Sequence, residues 1–500
     1  MFLLKDIISR NPKLEKTFKN VSKEILNHNI NGISSSSKDI KNDYIFVAIK
    51  GKKHNGLNYI TEAREKGAIL TLAEDNFDSQ TVSLKKGTAR EIYSILLACF
   101  YKKQPKQIIG VTGTNGKTSV VDFCRQIWGQ AGWKSASMGT LGTKIVSHTK
   151  QTFYYNSNQN LTTFEPSHLY KELKSLTDNE ISHVAIEASS HGIDQRRLDG
   201  IKFSGAVFTN LSHDHLDYHK NIENYYSAKK RLFTHLLKKN SSLAINIDDN
   251  YGNILYEELK SFNFYVLSFG KNSEADIRIC NINQQNKSID LIIRYKLKSY
   301  NITLGMIGEF QVYNVIASAS ICIALGMDPD FVFKSLSYLK PAKGRMEIIT
   351  DSKSKSLVII DYAHTPEALS SVLISLKKDA KGRIITLFGC GGNRDKDKRQ
   401  IMGKIAHENS NLVIVTDDNP RDETPSNIRR EILKGCPKAI EIENRNNAIK
   451  YAISKLKNED ILLIAGKGHE TTQTLGTETL PFDDYTVAKE AIKNLDKIGA

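Results

Sequence analysis

Short apolar runs alternate with longer, mostly polar segments through most of the chain. The clearest unit is an apolar run at 107–112 that leads through a glycine-rich turn into an amphipathic stretch. Large apolar residues recur in that stretch at helical spacing, at Val120, Phe123, Cys124, Ile127 and Trp128. Gly129 and Gly132 then weaken and end the pattern. The sequence therefore predicts a strand, a loop and a helix in direct succession.

The same alternation continues along the rest of the chain and predicts the α/β class, with parallel sheets joined by crossover helices. Strands are expected to end near 187 and 210, and later near 361, 388, 416 and 465. Three short strand-like runs between 264 and 303 favour antiparallel or peripheral positions, and an alanine-rich helix is expected to begin at 309. Ligands gather at the carboxyl ends of parallel strands, so the loops there are the candidate sites.

A chain of 500 residues exceeds what one hydrophobic core holds, so about three domains are expected. Polar links at 101–106 and 338–345 mark the boundaries. They divide the chain into 1–104, which is rich in Asn, Lys and Ser, 105–338, which contains the glycine-rich turn, and 339–500.

Composition narrows the class of protein. The six cysteines lack the spacing of a zinc site or a disulfide framework, which indicates a reducing cytoplasm. The N-terminal apolar run breaks at Lys5, and the longest mostly apolar stretch, 315–327, is too short to span a bilayer, so we expect neither a secretion signal nor a membrane anchor. The formal charge of +15 comes from lysines spread along the chain and interleaved with acids, which favours solvated surfaces over a nucleic-acid interface.

The glycine-rich turn is typical of a phosphate-binding loop. Lys117 supplies a point charge for the β and γ phosphates, and Thr118 offers a hydroxyl to Mg²⁺. The strict pattern requires glycine where this chain has Val111. The residues expected to contact ATP here are Gly113, Thr114, Asn115, Gly116, Lys117, Thr118 and Ser119.

Polyphosphate chemistry needs its developing charge neutralised by metal ions and fixed cations. Glu187, at the end of a predicted strand, is a candidate ligand of a first Mg²⁺ together with Thr118, although an acid there also caps helices. His215 is a candidate for a second Mg²⁺. His213 and His219 flank it at a spacing that is not a standard zinc arrangement.

Eight segments resemble, in order, motifs of the ATP-dependent Mur ligases and their folylpolyglutamate synthase relatives. They lie at 112–118, 161–163, 187–192, 214–219, 344–347, 361–366, 418–421 and 466–470. The resemblance implies three domains: one that binds a UDP-sugar, a central P-loop ATPase domain with a parallel sheet, and a C-terminal Rossmann-like domain that binds an amino acid.

The resemblance also implies a reaction that requires ATP and Mg²⁺. A peptide carboxylate attacks the γ-phosphate to give an acyl phosphate, and the amine of the next amino acid displaces phosphate. The expected substrates are UDP-N-acetylmuramoyl-L-alanyl-D-glutamate and meso-diaminopimelate, used by a cytoplasmic monomer in peptidoglycan synthesis. In the family a lysine is carbamylated by CO₂ to steady the second Mg²⁺, and Lys229 is similar to it. Lys117, Glu187, His215 and Lys229 are thus the expected catalytic residues.

Substrate contacts follow from the same resemblance. Those expected for the nucleotide, beyond the loop, are Asn314, Arg345 and His364. Those expected for the UDP-sugar peptide are Ser37, Thr162, Thr163, Ser189, Gln195 and Arg197. Those expected for diaminopimelate are Arg394, Asp418, Asn419, Arg421, Gly466 and Glu470.

Arg421 is the basis for expecting diaminopimelate, because a guanidinium grips the second carboxylate that lysine lacks. Glu470 suits the second ammonium. The alternatives are an L-lysine-adding member, which carries a neutral residue at the position of Arg421, and a folylpolyglutamate synthase. Two alternatives belong to other classes of protein. One is a nucleotide-dependent binding protein that performs no ligation, and the other is a nucleic-acid binder that uses ATP.

Overall fold

The computed structural model describes residues 2–51, 54–75, 77–146, 161–285, 287–349, 356–378 and 380–494, and the backbone alone for 152–155 and 495–498. Three sheets with parallel strands succeed one another along the sequence, which confirms the predicted α/β class. They span residues 32–83, 107–304 and 347–465. The domain limits at 104/105 and 338/339 stay a prediction, and we use first, central and third region for 1–104, 105–338 and 339–500.

The first region contains a small parallel sheet in the order β3, β4, β5, β6. Its elements are β1 (Phe2–Leu3), α1 (Leu4–Ile8), α2 (Pro12–Thr17), α3 (Lys23–Leu26), β2 (Asn29–Ile30), β3 (Gly32–Ser34), β4 (Tyr44–Ala48), α4 (Ile60–Glu65), β5 (Ala68–Ala73), β6 (Thr81–Ser83) and α5 (Ala89–Tyr101). The helix α5 ends at Tyr101, where the predicted polar link begins.

The central region contains eleven strands. Its elements are β7 (Gln107–Thr112), α6 (Lys117–Gln130), β8 (Ser135–Gly139), β9 (Gly142–Val146), β10 (Thr152–Tyr155), α7 (Pro166–Asp178), β11 (His183–Glu187), α8 (Ser190–Asp194), β12 (Phe203–Phe208), α9 (Leu216–His219), α10 (Ile222–His235), β13 (Leu237–Asn246), α11 (Asn250–Leu259), β14 (Tyr265–Gly270), β15 (Ile277–Gln284), β16 (Ile289–Tyr295), β17 (Lys298–Leu304), α12 (Glu309–Ala324) and α13 (Pro329–Ser335). The strand order is β10, β9, β8, β11, β7, β12, β13, β14, β15, β16, β17.

Helices cover both faces of the central sheet. On one face α6 and α12 pack together, and Phe123, Trp128 and Ile316 are fully buried there. On the other face α7 and α10 contribute Leu173 and Leu232 to a core that also includes the helices of the first region. Complete burial of each such side chain contributes about 1.5–3 kcal/mol. This two-sided core fixes β7 in the middle of the sheet.

The edges of the central sheet differ from the sequence prediction. Four strands lie where three runs were predicted, and the first of them, β14, continues the parallel order beside β13. The other three, β15, β16 and β17, pair antiparallel at this edge, which agrees with the prediction, and along β16 buried and less buried residues alternate. At the other edge β9 pairs antiparallel with β8 and was not predicted.

The third region contains a second open sheet in the order β18, β19, β23, β20, β21, β22. Its elements are β18 (Glu347–Ile349), β19 (Leu357–Asp361), α14 (Pro366–Lys377), β20 (Ile384–Phe388), α15 (Asp397–Asn409), β21 (Leu412–Val415), α16 (Pro425–Leu433), β22 (Ile440–Glu441), α17 (Arg445–Ser454), β23 (Ile461–Ala465), β24 (Thr472–Leu475), β25 (Glu478–Pro481) and α18 (Asp484–Ile498). The four long strands end at or within one residue of the predicted positions. Their parallel pairing brings the four loops after them to one edge. No helix in the described ranges is both long enough and apolar enough to cross a bilayer.

Candidate active site

The glycine-rich turn joins β7 to α6 in the middle of the central sheet. Gly116 has a φ of 87°, a left-handed conformation that favours glycine. A Cβ at Gly113 would lie 1.9 Å from Thr209 Oγ1, and one at Gly116 would lie 2.2 Å from Asn314 Oδ1. The Thr209 hydroxyl also donates to the backbone carbonyl of Asn115 over 2.6 Å. The turn is therefore held tightly at the start of α6, where N–H groups of the first helical turn are available to an anion.

Two lysine side chains share one backbone carbonyl at this turn. Lys117 Nζ donates to the carbonyls of Gly113 over 2.9 Å and Thr114 over 2.8 Å. Lys229 Nζ, on α10, donates to the same Gly113 carbonyl over 2.6 Å, and Lys229 is 1% exposed. Burial lowers the pKa of both lysines, and the charge of Lys117 lowers the pKa of Lys229 further. Since CO₂ adds to a neutral amine, the surroundings of Lys229 favour the predicted carbamate.

The structure brings together Thr118 and Glu187, the two residues predicted to bind the first Mg²⁺. The Thr118 hydroxyl donates to Glu187 Oε2 over 3.1 Å, and the backbone N–H of Thr140 donates to Oε1 over 2.8 Å. Burial raises the pKa of Glu187, whereas the nearby Lys117 lowers it. Hydroxyl and carboxylate oxygens are the ligands that Mg²⁺ prefers. In the described part of the chain no three His, Cys, Asp or Glu side chains converge on a metal position, so a metal here requires ligands from substrate or water as well.

The loop after β12 carries the predicted histidine. His215 adopts a φ of 55°, and its Nε2 lies 3.5 Å from Asp214 Oδ2. Burial lowers the pKa of His215, Asp214 raises it, and the charges of Lys117 and Lys229 lower it. His219 is buried and hydrogen-bonds to Ser190 Oγ over 3.0 Å, which is a structural contact.

Residues of the third region reach the phosphate-binding helix. Arg345 donates to the Thr118 hydroxyl over 3.3 Å, and its guanidinium lies 4.5 Å from the centre of the Tyr362 ring. His364 Nδ1 hydrogen-bonds to the Tyr362 carbonyl over 2.8 Å. Burial lowers the pKa of His364 to about 4, and Lys398 contributes to the shift, so the ring is neutral at pH 7. Arg345 and His364 thus lie on the side of the third region that faces the turn.

A cavity of about 230 Å³ lies between the first and central regions. Gln195 and Arg197, both predicted to contact the UDP-sugar peptide, line it. Arg90 and Tyr93 on α5 also line it, and no pattern in the sequence indicated either residue. Ser37 does not line it, and donates instead to Glu62 Oε2 over 2.9 Å.

The other residues predicted for the sugar peptide connect this cavity with Glu187. Arg197 donates to the Thr163 carbonyl over 2.7 Å and to Glu165 Oε1 over 2.9 Å. The hydroxyls of Thr163 and Ser189 are 2.9 Å apart. The hydroxyls of Thr162 and Thr140 are 3.3 Å apart, and the Thr140 hydroxyl donates to Glu187. The predicted residues therefore form a continuous polar surface from the cavity to the phosphate loop.

Arg421 lies at the strand-end edge of the third sheet. Its guanidinium donates to the Gly392 carbonyl over 2.8 Å and to the Asn419 carbonyl over 3.4 Å. A Cβ at Gly391 would lie 2.8 Å from this guanidinium and 3.9 Å from the Arg394 side chain. The two predicted arginines therefore lie close to the same glycine, and Arg394 is exposed.

The carboxylates of the same pocket lie beside Arg421. Asn419 Nδ2 donates to Glu470 Oε2 over 2.7 Å, and Lys467 Nζ donates to the same oxygen over 3.1 Å. Gly466 has a φ of 108°, and a Cβ there would lie 2.6 Å from Asp418 Oδ2. Burial raises the pKa of Glu470, as does the charge of Asp418, whereas Lys467 lowers it.

Besides Arg90 and Tyr93, three further residues of the site were missed in the sequence. Tyr362 and Lys467 lie inside the motif segments 361–366 and 466–470. Their position in these segments could have indicated that they belong to the site. Thr140 follows β8, a small and polar strand that the apolar pattern did not mark.

Comparisons with known proteins find similar sequences and similar structures. The Mur ligase middle domain matches residues 111–322, and the Mur ligase, glutamate ligase domain matches residues 344–468. A Rhizobium meliloti protein named UDP-N-acetylmuramoyl-L-alanyl-D-glutamate--2,6-diaminopimelate ligase is 39% identical over 468 residues, 93% of this chain and 95% of its own. A Rickettsia conorii protein of that name is 40% identical over 472 residues, 93% of this chain and 96% of its own. A solved structure of a ligase of that name has a TM-score of 0.70 at 29% identity and covers 96% of this chain and 99% of its own.

Proposed function

We propose that this chain, which belongs to the Mur ligase family, is an ATP-dependent ligase that adds meso-diaminopimelate to UDP-N-acetylmuramoyl-L-alanyl-D-glutamate in peptidoglycan synthesis. The observation that carries the proposal is the contact between Arg345 and Thr118, over 3.3 Å. Through this contact the region with the amino-acid pocket meets the region with the phosphate loop, which is what a ligase with an activated intermediate requires.

In the first step the peptide carboxylate attacks the γ-phosphate of ATP and ADP leaves. Lys117 and Arg345 bind the phosphates, and Asn314 and His364 orient the nucleotide. The backbone groups of the loop and the hydroxyls of Thr118 and Ser119 complete the phosphate site. The protein's contribution is positioning and charge stabilisation.

Two Mg²⁺ ions fit the donor groups near the turn. Thr118 and Glu187 would hold the first, and His215 with the carbamate of Lys229 would hold the second. When bound, Mg²⁺ neutralises charge on the phosphate oxygens. Thr140 orients Glu187 through the two hydrogen bonds that it donates to the carboxylate.

In the second step the amine of diaminopimelate attacks the acyl phosphate and releases inorganic phosphate. The 230 Å³ cavity and the surface formed by Thr162, Thr163, Ser189, Gln195 and Arg197 would hold the UDP-sugar peptide. Arg421 and Arg394 would bind the second carboxylate of diaminopimelate, and Glu470 its second ammonium. Asp418, Asn419 and Gly466 shape that pocket. We propose that Ser37 binds the UDP group. We also propose that the protein acts as a monomer in the cytoplasm.

The test is phosphate release from ATP and Mg²⁺ with the UDP-sugar dipeptide, in parallel with meso-diaminopimelate, L-lysine or no amino acid, with products weighed by mass spectrometry. We expect phosphate and tripeptide only with diaminopimelate. Product with lysine but not with diaminopimelate would support ligase activity and would show that diaminopimelate is not the substrate. Phosphate release that is independent of the dipeptide would contradict ligation altogether.

A further inference from the structure

Lys467 is a fully buried cation in the third region that no step above uses. It follows β23 after Gly466, and its side chain is 0% exposed. Its ammonium has three donors, and the structure gives each an acceptor: Asn419 Oδ1 at 3.3 Å, Glu470 Oε2 at 3.1 Å and the Thr472 carbonyl at 2.7 Å. A buried lysine with all its donors used is a fixed charge rather than a mobile surface group.

The hydrogen bonds to Glu470 are distributed unequally between its two oxygens. Lys467 and Asn419 both donate to Oε2. Asn419 is itself fixed, because its Oδ1 accepts from the backbone N–H of Thr474 over 3.0 Å as well as from Lys467. Among the described residues, the side-chain hydrogen bonds to Glu470 end on Oε2, which leaves Oε1 for a ligand. One oxygen is therefore a structural anchor, and the other can accept a hydrogen bond from a ligand.

Charge balance gives Lys467 a second effect. Burial and the neighbouring Asp418 both raise the pKa of Glu470, and Lys467 opposes them. Burial and the charge of Glu470 both raise the pKa of Tyr362, and burial lowers the pKa of Arg445, which the charges of Asp484 and Glu470 oppose. Without Lys467, nothing from that lysine would oppose the effect of burial and of Asp418. The pKa of Glu470 would then be higher, and Glu470 would take up a proton more readily.

We propose that Lys467 is a positioning residue for the amino-acid substrate. It holds the Glu470 carboxylate as an oriented anion, so that Glu470 Oε1 receives the second ammonium of diaminopimelate. This inference rests on the proposed function and deepens it, because it assigns the recognition of the second amino group to a pair of residues.

The two ends of the second amino-acid centre can be probed separately. L-Lysine keeps the second ammonium and lacks the second carboxylate, so it reports on the arginines. 2-Aminopimelate keeps the second carboxylate and lacks the second ammonium, so it reports on Glu470. Loss of Lys467 should therefore change the response to diaminopimelate and leave the response to 2-aminopimelate nearly unchanged.

The experiment compares wild-type protein with Lys467→Met, Lys467→Gln, Glu470→Gln and the double variant Lys467→Met with Glu470→Gln. Steady-state phosphate release gives KM and kcat for diaminopimelate and 2-aminopimelate between pH 6.5 and 8.5. Lys467→Gln serves if Lys467→Met does not fold, because an amide retains N–H donors without the charge. Lys404→Met, an exposed lysine of α15, is the matched control.

We expect KM for diaminopimelate to rise about 30-fold in either Lys467 variant at pH 7, with kcat and KM for ATP within threefold of wild type. A lost charge-assisted contact has an effect of this size. The KM defect should shrink as the pH rises, because Glu470 ionises again, whereas the defect of Glu470→Gln should not depend on pH. The double variant should be no worse than Glu470→Gln alone.

Three outcomes would overturn the proposal. They are an unchanged preference for diaminopimelate over 2-aminopimelate in the Lys467 variants, an equal loss with both substrates, and full additivity in the double variant. The wild-type protein separates this failure from a failure of the proposed function. If wild type ligates diaminopimelate and the Lys467 variants match it, only the role of Lys467 is wrong.

Discussion

The phosphate loop and the amino-acid pocket both concentrate charge, yet they arrange it differently. At the loop, Lys117 and Lys229 donate to backbone carbonyls, and both reach the carbonyl of Gly113. In the pocket, Lys467 donates to the Glu470 carboxylate, within a network that Asn419 completes. The loop lysines are bound to neutral groups, as is Arg421 in the pocket, whereas Lys467 in the pocket is already paired with a carboxylate.

The difference matches what each site binds. A polyphosphate carries several negative charges. A site for it binds more strongly if its cations are hydrogen-bonded to neutral carbonyls, because their charge then remains available to the phosphates. A second amino-acid centre is a zwitterion, so a site for it needs both signs at fixed positions. The loop is thus organised to neutralise charge and the pocket to distinguish substrates, and the predictions below test this contrast from the largest expected effect to the smallest.

Replacing Lys117 by methionine should have the largest effect. We expect kcat/KM for ATP to fall about 10³-fold, because a fixed cation at the transferred phosphate is lost. Phosphate release in the presence of both other substrates measures this. The control is Lys171→Met, which replaces an exposed lysine on α7. Comparable activity in the two variants would show that the charge of Lys117 is not needed for the reaction.

Lys229→Ala should lower kcat about 10²-fold, because the carbamate and its charge are lost. Millimolar acetate or formate should restore part of the activity by placing a carboxylate in the space that the substitution leaves. Lys230→Ala is the control, since Lys230 is adjacent and pairs with Glu258 over 2.6 Å. Full activity of Lys229→Ala, or no rescue by either carboxylate, would argue against the carbamate.

Arg421→Asn should reduce the preference for diaminopimelate over L-lysine by about 10²-fold, mainly through a higher KM for diaminopimelate. KM for ATP should not change, because the arginine acts only in the pocket. Arg430→Asn, an exposed arginine on α16, is the control. If the variant still prefers diaminopimelate over L-lysine as strongly as wild type does, another residue must distinguish the two substrates.

The smallest expected effect concerns the junction between the central and third regions. Gln126, on α6, donates to the Lys340 carbonyl over 2.8 Å and accepts from the Lys340 backbone N–H over 2.9 Å. Gln126→Leu should loosen this link and raise KM for ATP about threefold, since one or two part-exposed hydrogen bonds contribute little. KM for diaminopimelate should stay constant, and an unchanged KM for ATP would show that the link does not position Arg345.

The sequence predicted most of the fold because the informative patterns are local. The strand, loop and helix around residues 107–130 are contiguous, and the four strand ends of the third region are each marked by an apolar run followed by polar residues. Strands towards the two ends of the central sheet were harder, because β16 alternates buried and less buried residues and β8 is short and polar.

Contacts across the site could not be predicted in the same way. Arg345 and Thr118 are 227 positions apart, and Lys467 and Asn419 are 48 apart, so no local period links them. The resemblance named individual residues but not their partners. It therefore indicated Glu470 without the lysine that orients it, and Glu187 without Thr140.

The most direct test of the contrast is a competition in one tube. Wild-type protein with ATP, Mg²⁺, the UDP-sugar dipeptide and equimolar meso-diaminopimelate and L-lysine yields two products that mass spectrometry separates, and their ratio equals the ratio of kcat/KM values. We predict that the diaminopimelate product exceeds the lysine product about 10³-fold, because lysine leaves the Arg421 guanidinium without its carboxylate. Comparable amounts of the two products, or an excess of the lysine product, would contradict a pocket that recognises both charges of the second centre.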